Sequence, residues 1–391
     1  MSGSPNDRCW GENDWAAGFK LPDRGDLSSI NMDVDNNTSN GTLCDLYYHH
    51  NTARILLPIF YSMIFLFGLL GNILAMFVIH KNRRKLNSTT LYSRNLVISD
   101  ICFAIVSPSR IVYYAKGFDW TFGEAFCRIT ALFLYINTYA GVNFMTCLSV
   151  DRFFAVVHPH RYNRIRRVKF AKIICICVWL LVFFQTFPLL IQQMSQTELH
   201  TGKTRCMEYP IFEAIDNLPY ILLGACFIGF YLPLVIILYC YSQISIKLCQ
   251  TTKKNPLSEK TGTNKKATNT IILVIVVFLI CFTPYHVAIT QHMIKKLIYQ
   301  PDCEEQKLFQ VVLHVTVCLM NLNCCLDPLI YFCACKGYKN QILKILKRQA
   351  SITSSSATRP AAEESSRDLT ESQMMQSIPL NHKVNQSVSK K

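Results

Sequence analysis

Asp151-Arg152-Phe153 places an acid beside a base at the end of an uncharged run of 22 residues, Ile129 to Val150. At the mouth of a membrane helix such a pair is either an interfacial anchor or an ionic latch whose partners exchange. Asp100 and Asp327, with Asn72, Asn137, Asn321 and Asn323, fall inside apolar stretches. Polar groups there are costly, so they form either a satisfied interhelical network or a hydrated core that repacks between two states, with a sodium ion near Asp100 as one occupant. Arg110 stands ten positions after Asp100, roughly 15 Å further along a helix. Tyr135 and Tyr139 are four apart and share a helical face, and Tyr285 follows Pro284. One guanidinium and three phenols in apolar surroundings suit a large apolar ligand with a few hydroxyl handles; the alternative for Arg110 is snorkelling to the outer interface. Tyr241 and Tyr331 lie eight and three residues after Pro233 and Pro328, as switch residues or as interfacial anchors. His286 and His314 stand isolated as pocket or packing residues, and no metal or nucleophile constellation is visible. An enzyme is not expected.

The elements that must position these groups follow from composition. Half of the 391 residues are hydrophobic and only 17% are charged. The apolar residues gather in seven blocks, roughly 55–79, 91–115, 127–150, 171–193, 217–246, 267–293 and 308–333. Each is long enough to span a bilayer, and unpaired backbone groups cannot stay in lipid, so each should be a helix. An all-α membrane protein follows: a seven-transmembrane helix bundle with a short amphipathic eighth helix. Lys and Arg gather in alternate short loops. Segments 80–94 and 158–172 hold five and six of them with no acid, and 247–266 holds six Lys against one Glu. Residues 1–53 carry eight acids against three bases. The positive-inside rule then places the N-terminus outside and the C-terminus in the cytoplasm of a multi-pass plasma-membrane protein. The net charge of +15 is mostly this topology, so a nucleic-acid partner is not expected. Met1 to Lys20 shows no signal-peptide pattern.

The domain reading is 1–53 as an extracellular N-terminal segment, disordered and glycosylated at Asn36, Asn37 and Asn40; 54–335 as the seven-span domain; 336–349 as a membrane-surface helix; and 350–391 as a disordered cytoplasmic tail. Asn87-Ser88-Thr89 also matches the glycosylation pattern, but it lies on the cytoplasmic side and should stay unmodified. Ile342, Leu343, Ile345 and Leu346 alternate with Lys and Arg, as suits a helix lying in the interface. The Ser/Thr-rich tail cannot bury a core; it is a solvated tail or a phosphorylation platform. Most of the 18 cysteines lie within the apolar blocks. Cys127 opens the third block and Cys206 precedes the fifth, so a bridge there would pin that loop over the bundle. A Cys44–Cys303 bridge would tie the N-terminal segment to the last outer loop, and Cys9 is left without a role.

Taken in order, Gly71-Asn72, the stretch ending at Asp100, Cys127, Asp151-Arg152-Phe153, Trp179, Pro233 with Tyr241, Phe282-Thr283-Pro284-Tyr285 and Asp327-Pro328-Leu329-Ile330-Tyr331 fall one set per span. Over roughly residues 50–348 this resembles the rhodopsin-like, class A, G-protein-coupled receptors. The departures are Phe153 where most of the family has Tyr, Phe282 where it has Trp, Asp327 where it has Asn, and Gly141 in place of a hydroxyl residue common at the sodium site. Within the family, Gly117-Phe118-Asp119-Trp120, the run Tyr135 to Phe144 and the run Phe282 to Ile289 look like the oxysterol receptors of lymphocytes.

That resemblance implies a ligand like 7α,25-dihydroxycholesterol, contacted by Arg110, Tyr135, Tyr139 and Tyr285. It implies coupling to an inhibitory heterotrimeric G protein, guidance of immune-cell migration, and arrestin and a receptor kinase acting at the tail. No cofactor is implied beyond membrane lipid as surroundings. Agonist would shift the sixth helix about Pro284 and release Arg152 from Asp151, with Tyr241 and Tyr331 closing behind. With Phe153 lacking a hydroxyl, the resting lock would rest on the Asp151–Arg152 contact. The alternative is a chemokine- or peptide-type chemoattractant receptor, which the acidic N-terminus and a Cys44–Cys303 bridge would suit. A basic peptide would want acids facing the outer cavity, whereas the outer spans offer Arg110 and tyrosines.

Overall fold

A computed structural model describes residues 46, 48–81, 87–159, 167–212, 215, 217–254, 263–334 and 342–344, excepting the side chains at 252–254, 263–271 and 331–334. All lie in the unit Asp45–Lys391. The glycosylation positions Asn36, Asn37 and Asn40, the cysteines Cys9 and Cys44, the 350–391 tail and the Tyr331 side chain lie outside the described residues. Of the surface helix expected over 336–349, only residues 342–344 are described, and they are helical.

Seven helices are long and apolar enough to cross a membrane: α1 (His50–Lys81), α2 (Ser88–Ala115), α3 (Gly123–Val156), α4 (Val168–Ile191), α5 (Leu218–Thr251), α6 (Ile272–Ile298) and α7 (Cys303–Ile330). They overrun their apolar blocks because backbone groups still need partners where the chain enters the interface. Asp151-Arg152-Phe153 therefore stands inside α3 rather than at its end, since the helix continues to Val156. Asn87 caps α2, its side chain accepting a hydrogen bond from the Thr90 amide at 2.8 Å. Asp302 caps α7 in the same way through the Glu305 amide. Each satisfies a donor that a helix start leaves orphaned.

The mid-span prolines act differently from one another. Pro108, Pro284 and Pro328 sit inside continuous helices. Pro188 interrupts α4: one helical segment ends at Thr186 and another begins at Pro188. In α5 the Pro233 ring would meet the carbonyl of residue 229 in a regular helix, and there the backbone widens into a π-helical turn over Phe227–Tyr231.

The α3 helix is the hub, packing on α2, α4 and α5 and touching α6 and α7. Between α4 and α5 the chain forms a hairpin of β1 (Ser195–Thr197) and β2 (Thr204–Cys206), antiparallel, with Ser195 opposite Cys206. Its inner strand is joined to the start of α3 by the Cys127–Cys206 disulfide. The hairpin is also held by Glu124 of α3, whose carboxylate accepts hydrogen bonds from the Met194 and Ser195 amides.

Candidate ligand cavity and the polar core beneath it

Beneath this hairpin a cavity of about 280 Å³ opens between the hairpin-side halves of the helices. That is an order of magnitude more than one water needs, ~30 Å³, so it is a ligand-sized space. Its walls are mostly aliphatic and aromatic side chains, Leu and Tyr foremost, and the sequence-expected Arg110, Tyr135, Tyr139 and Tyr285 all line it. Tyr135 and Tyr139 stack with ring centroids 6.3 Å apart, and Tyr135 reaches the Tyr285 hydroxyl across the space between α3 and α6.

Arg110 has partners in the protein at both terminal nitrogens, while its buried Nε has none among the described residues. Its Nη1 donates to the Cys206 carbonyl at 3.1 Å and its Nη2 to the Tyr114 hydroxyl. The guanidinium lies over the rings of Tyr113 and Tyr114, 4.9 and 4.8 Å from their centroids. Tyr113 in turn donates to Glu208 Oε1 at 2.8 Å, and Glu208 is within electrostatic reach of Arg110. A buried cation in a membrane protein needs such partners, and a loop acid with an aromatic cage supplies them.

Glu208 corrects the expectation that no acid faces the outer cavity: it lines the space and is 3% exposed. His314 is likewise not isolated. Its Nε2 lies 3.7 Å from Glu208 Oε2, its Nδ1 lies 3.0 Å from the Gln310 carbonyl, and His49 Nε2 approaches that same Nδ1 at 3.3 Å. His286 faces elsewhere. It stacks on Phe230 at 4.2 Å and its Nδ1 donates to the Phe282 carbonyl.

One layer deeper lies the polar core. Asn137 Nδ2 donates to Asp100 Oδ1 at 2.7 Å, and Asn72 Nδ2 donates to the Cys324 carbonyl at 2.8 Å. The Asp100 and Asp327 carboxyls are close enough to interact directly. Two buried carboxylates in contact repel unless a proton or a cation lies between them. Asp100 Oδ2, both Asp327 oxygens, Asn323 Oδ1 and Asn72 Oδ1 have no hydrogen-bond partner among the described residues. Gly141 is explained by crowding: a Cβ there would lie 3.0 Å from Asn323 Nδ2 and 3.2 Å from Phe282 Cζ. The Phe282 ring therefore occupies the room that a hydroxyl residue would take.

The chain matches the family described as "7 transmembrane receptor (rhodopsin family)" over residues 71–331. It is 64% identical over 352 residues to the G-protein coupled receptor 183 of Bos taurus, covering 90% of this chain and 97% of that protein. The human receptor of the same name is 64% identical over 340 residues, 86% of this chain and 94% of that protein. A more distant relative, the G-protein coupled receptor homolog FPV206 of fowlpox virus, is 34% identical over 74% of this chain and 92% of its own length.

The chain belongs to the rhodopsin family of seven-transmembrane receptors.

At the opposite end of this receptor bundle, Asp151 accepts hydrogen bonds from Ser88 Oγ and from Thr89 Oγ1, the latter at 2.7 Å. The acid beside Arg152 is thus held by two hydroxyls at the start of α2. Sequence reading missed both, although their spacing after the Asn87 cap marks the first turn of a helix. Tyr241 is buried on α5, beside Ser149 and within electrostatic reach of Arg152. The Phe153 ring packs instead against Tyr239 and His158. Cys303 is disulfide-bonded; the Cys44 end of the expected bridge lies outside the described residues. Among the described residues no cluster of three or more His, Cys, Asp or Glu could hold a metal ion.

Proposed function

We propose that this receptor is activated by a neutral hydroxylated sterol of the 7α,25-dihydroxycholesterol type, couples to inhibitory G proteins and directs immune-cell migration. The observation that carries this reading is the state of Arg110. Its charge is already met by Glu208, Cys206 and the Tyr113–Tyr114 rings. The cavity therefore does not demand a charged ligand, and what it offers beyond that balance is apolar wall with phenolic hydroxyls. A sterol body buries apolar area and its hydroxyls pair with the phenols.

The N-terminus would face outward and the C-terminal tail would meet receptor kinase and arrestin in the cytoplasm, as the loop charges imply. Ligand binding would shift α6 about Pro284 and free Arg152 for the G protein, with Tyr241 and Tyr331 closing behind. A ligand achieves this only through a higher affinity for the active arrangement. The unpartnered oxygens of Asp100, Asp327 and Asn323 are hard donors that fit a sodium ion. Held there, such an ion would offset one of the two carboxylate charges and relieve their repulsion.

Glu208 on the cavity wall favours the second reading, a basic chemokine or peptide. The two separate in one experiment. Cells expressing the chain are challenged with a panel of oxysterols and chemokines, with cyclic AMP as readout and pertussis toxin as control. Toxin-sensitive inhibition by oxysterols alone is the expected result. Response to chemokines alone would sink the sterol reading, and toxin-insensitive signalling would exclude inhibitory G proteins as the main route.

A further inference from the structure

We propose that Gln185 is a specificity-determining residue of the cavity, hydrogen-bonding one hydroxyl of the ligand at the end bounded by α3, α4 and α5. This rests on the sterol reading above. From residue 173 to residue 191, Gln185 and Thr186 are the polar exceptions in an otherwise apolar, cysteine- and tryptophan-containing stretch of α4. Thr186 is accounted for, because its hydroxyl donates to the Val182 carbonyl at 2.8 Å. Gln185 is not: its Oε1 is buried with no hydrogen-bond partner among the described residues. A primary amide has two donors and two acceptor lone pairs, and leaving it unpaired inside a membrane span is costly.

The surroundings show where that open valence lies. Gln185 lines the cavity together with Tyr139. Both meet α5 at Gly229, where a Cβ would come 2.7 Å from Tyr139 Cε1 and 3.5 Å from Gln185 Nε2. The π-helical turn around Gly229 brings bare backbone against the phenol ring and the amide, so the two polar side chains sit side by side at one end of the cavity. At the Arg110 end both terminal nitrogens are paired, with Cys206 and Tyr114, and Tyr113 donates to Glu208. The two ends therefore differ in what they ask of a ligand. At the Arg110 end the charge is balanced by the protein and only the Nε is left open, whereas the Gln185 carbonyl oxygen finds its donor in the ligand. Sites built to pair with a hydroxyl reject analogues that lack it far more strongly than apolar walls can.

The test is a cycle between residue and ligand. Gln185→Leu and Gln185→Met remove the amide at similar volume. Each is compared with wild type for 7α,25-dihydroxycholesterol, 25-hydroxycholesterol and 7α-hydroxycholesterol, by competition binding normalised to surface level. The 3β-hydroxyl is common to all three sterols, so the assignment is to the C7 or the C25 hydroxyl; the expected result is a loss of about tenfold or more for 7α,25-dihydroxycholesterol and for one of the other two sterols. The sterol lacking the engaged hydroxyl should change less than about twofold. Equal losses across all three sterols, or no loss for any, overturn the assignment while leaving the sterol reading standing. A wild-type receptor that binds none of the three overturns both. If the leucine variant fails to reach the surface, the methionine variant decides by the same ratios.

Discussion

Arg110 was legible in the sequence as a cation at depth, because ten residues from Asp100 fixes its height on a helix. Its partners were not. Cys206 and Glu208 arrive from a loop whose path depends on the hairpin and the disulfide rather than on local periodicity. Arg110→Ala should leave Glu208 and the Cys206 carbonyl without their cation. Hydrogen bonds to charged groups contribute about 1.5–3 kcal/mol, or about 10- to 150-fold. We expect a right-shift of the oxysterol dose response in that range at unchanged surface expression; an unshifted curve would remove Arg110 from the site. Arg110→Lys should not restore it, because a compact ammonium cannot span both acceptors as a planar fork does. At the opposite end of the bundle, Arg152→Ala should abolish G-protein signalling while sterol binding persists. Retained cyclic-AMP inhibition in that variant would count against the switch. Asp151 should not be read through Arg152 alone, since Ser88 and Thr89 hold its carboxylate.

The helices themselves were read with little error, because a run of twenty apolar residues leaves the backbone no other solution. What escaped was their irregularity. The interruption at Pro188 and the π-helical turn before Pro233 depend on which carbonyls neighbouring helices leave room to turn aside. The hairpin escaped as well, its six strand residues being too short and too polar to carry a period. Gly229 shows the functional reach of such details. Gly229→Ala would push a methyl carbon against Tyr139, 2.7 Å from its ring as placed. Overpacking of this kind costs about 1–3 kcal/mol. We expect sterol potency to fall about tenfold or more with the bundle still expressed, as measured by surface labelling alongside the dose response. An unaffected potency would show that Tyr139 can yield without consequence for the ligand.

The fold class of the whole molecule follows from composition and from one ordered set of motifs, and membership of the rhodopsin family rests on residues 71–331. Orientation rests on loop charge and can be tested directly. Replacing Asn36, Asn37 and Asn40 together by Gln should increase gel mobility to that of the enzymatically deglycosylated receptor. Asn87→Ala should leave mobility unchanged and instead cost about 1 kcal/mol of helix stability through loss of its cap. A mobility shift from the Asn87 variant would invert the proposed topology.

The acceptor that Cys206 offers Arg110 is a main-chain oxygen. Every side-chain substitution at 206 retains that oxygen in the chain, so a residue-by-residue scan cannot delete it. What such a scan can change is its address, by severing the cystine that holds the strand over α3. Replacing Cys127 and Cys206 together by Ser should therefore weaken ligand affinity without altering any side chain that lines the cavity.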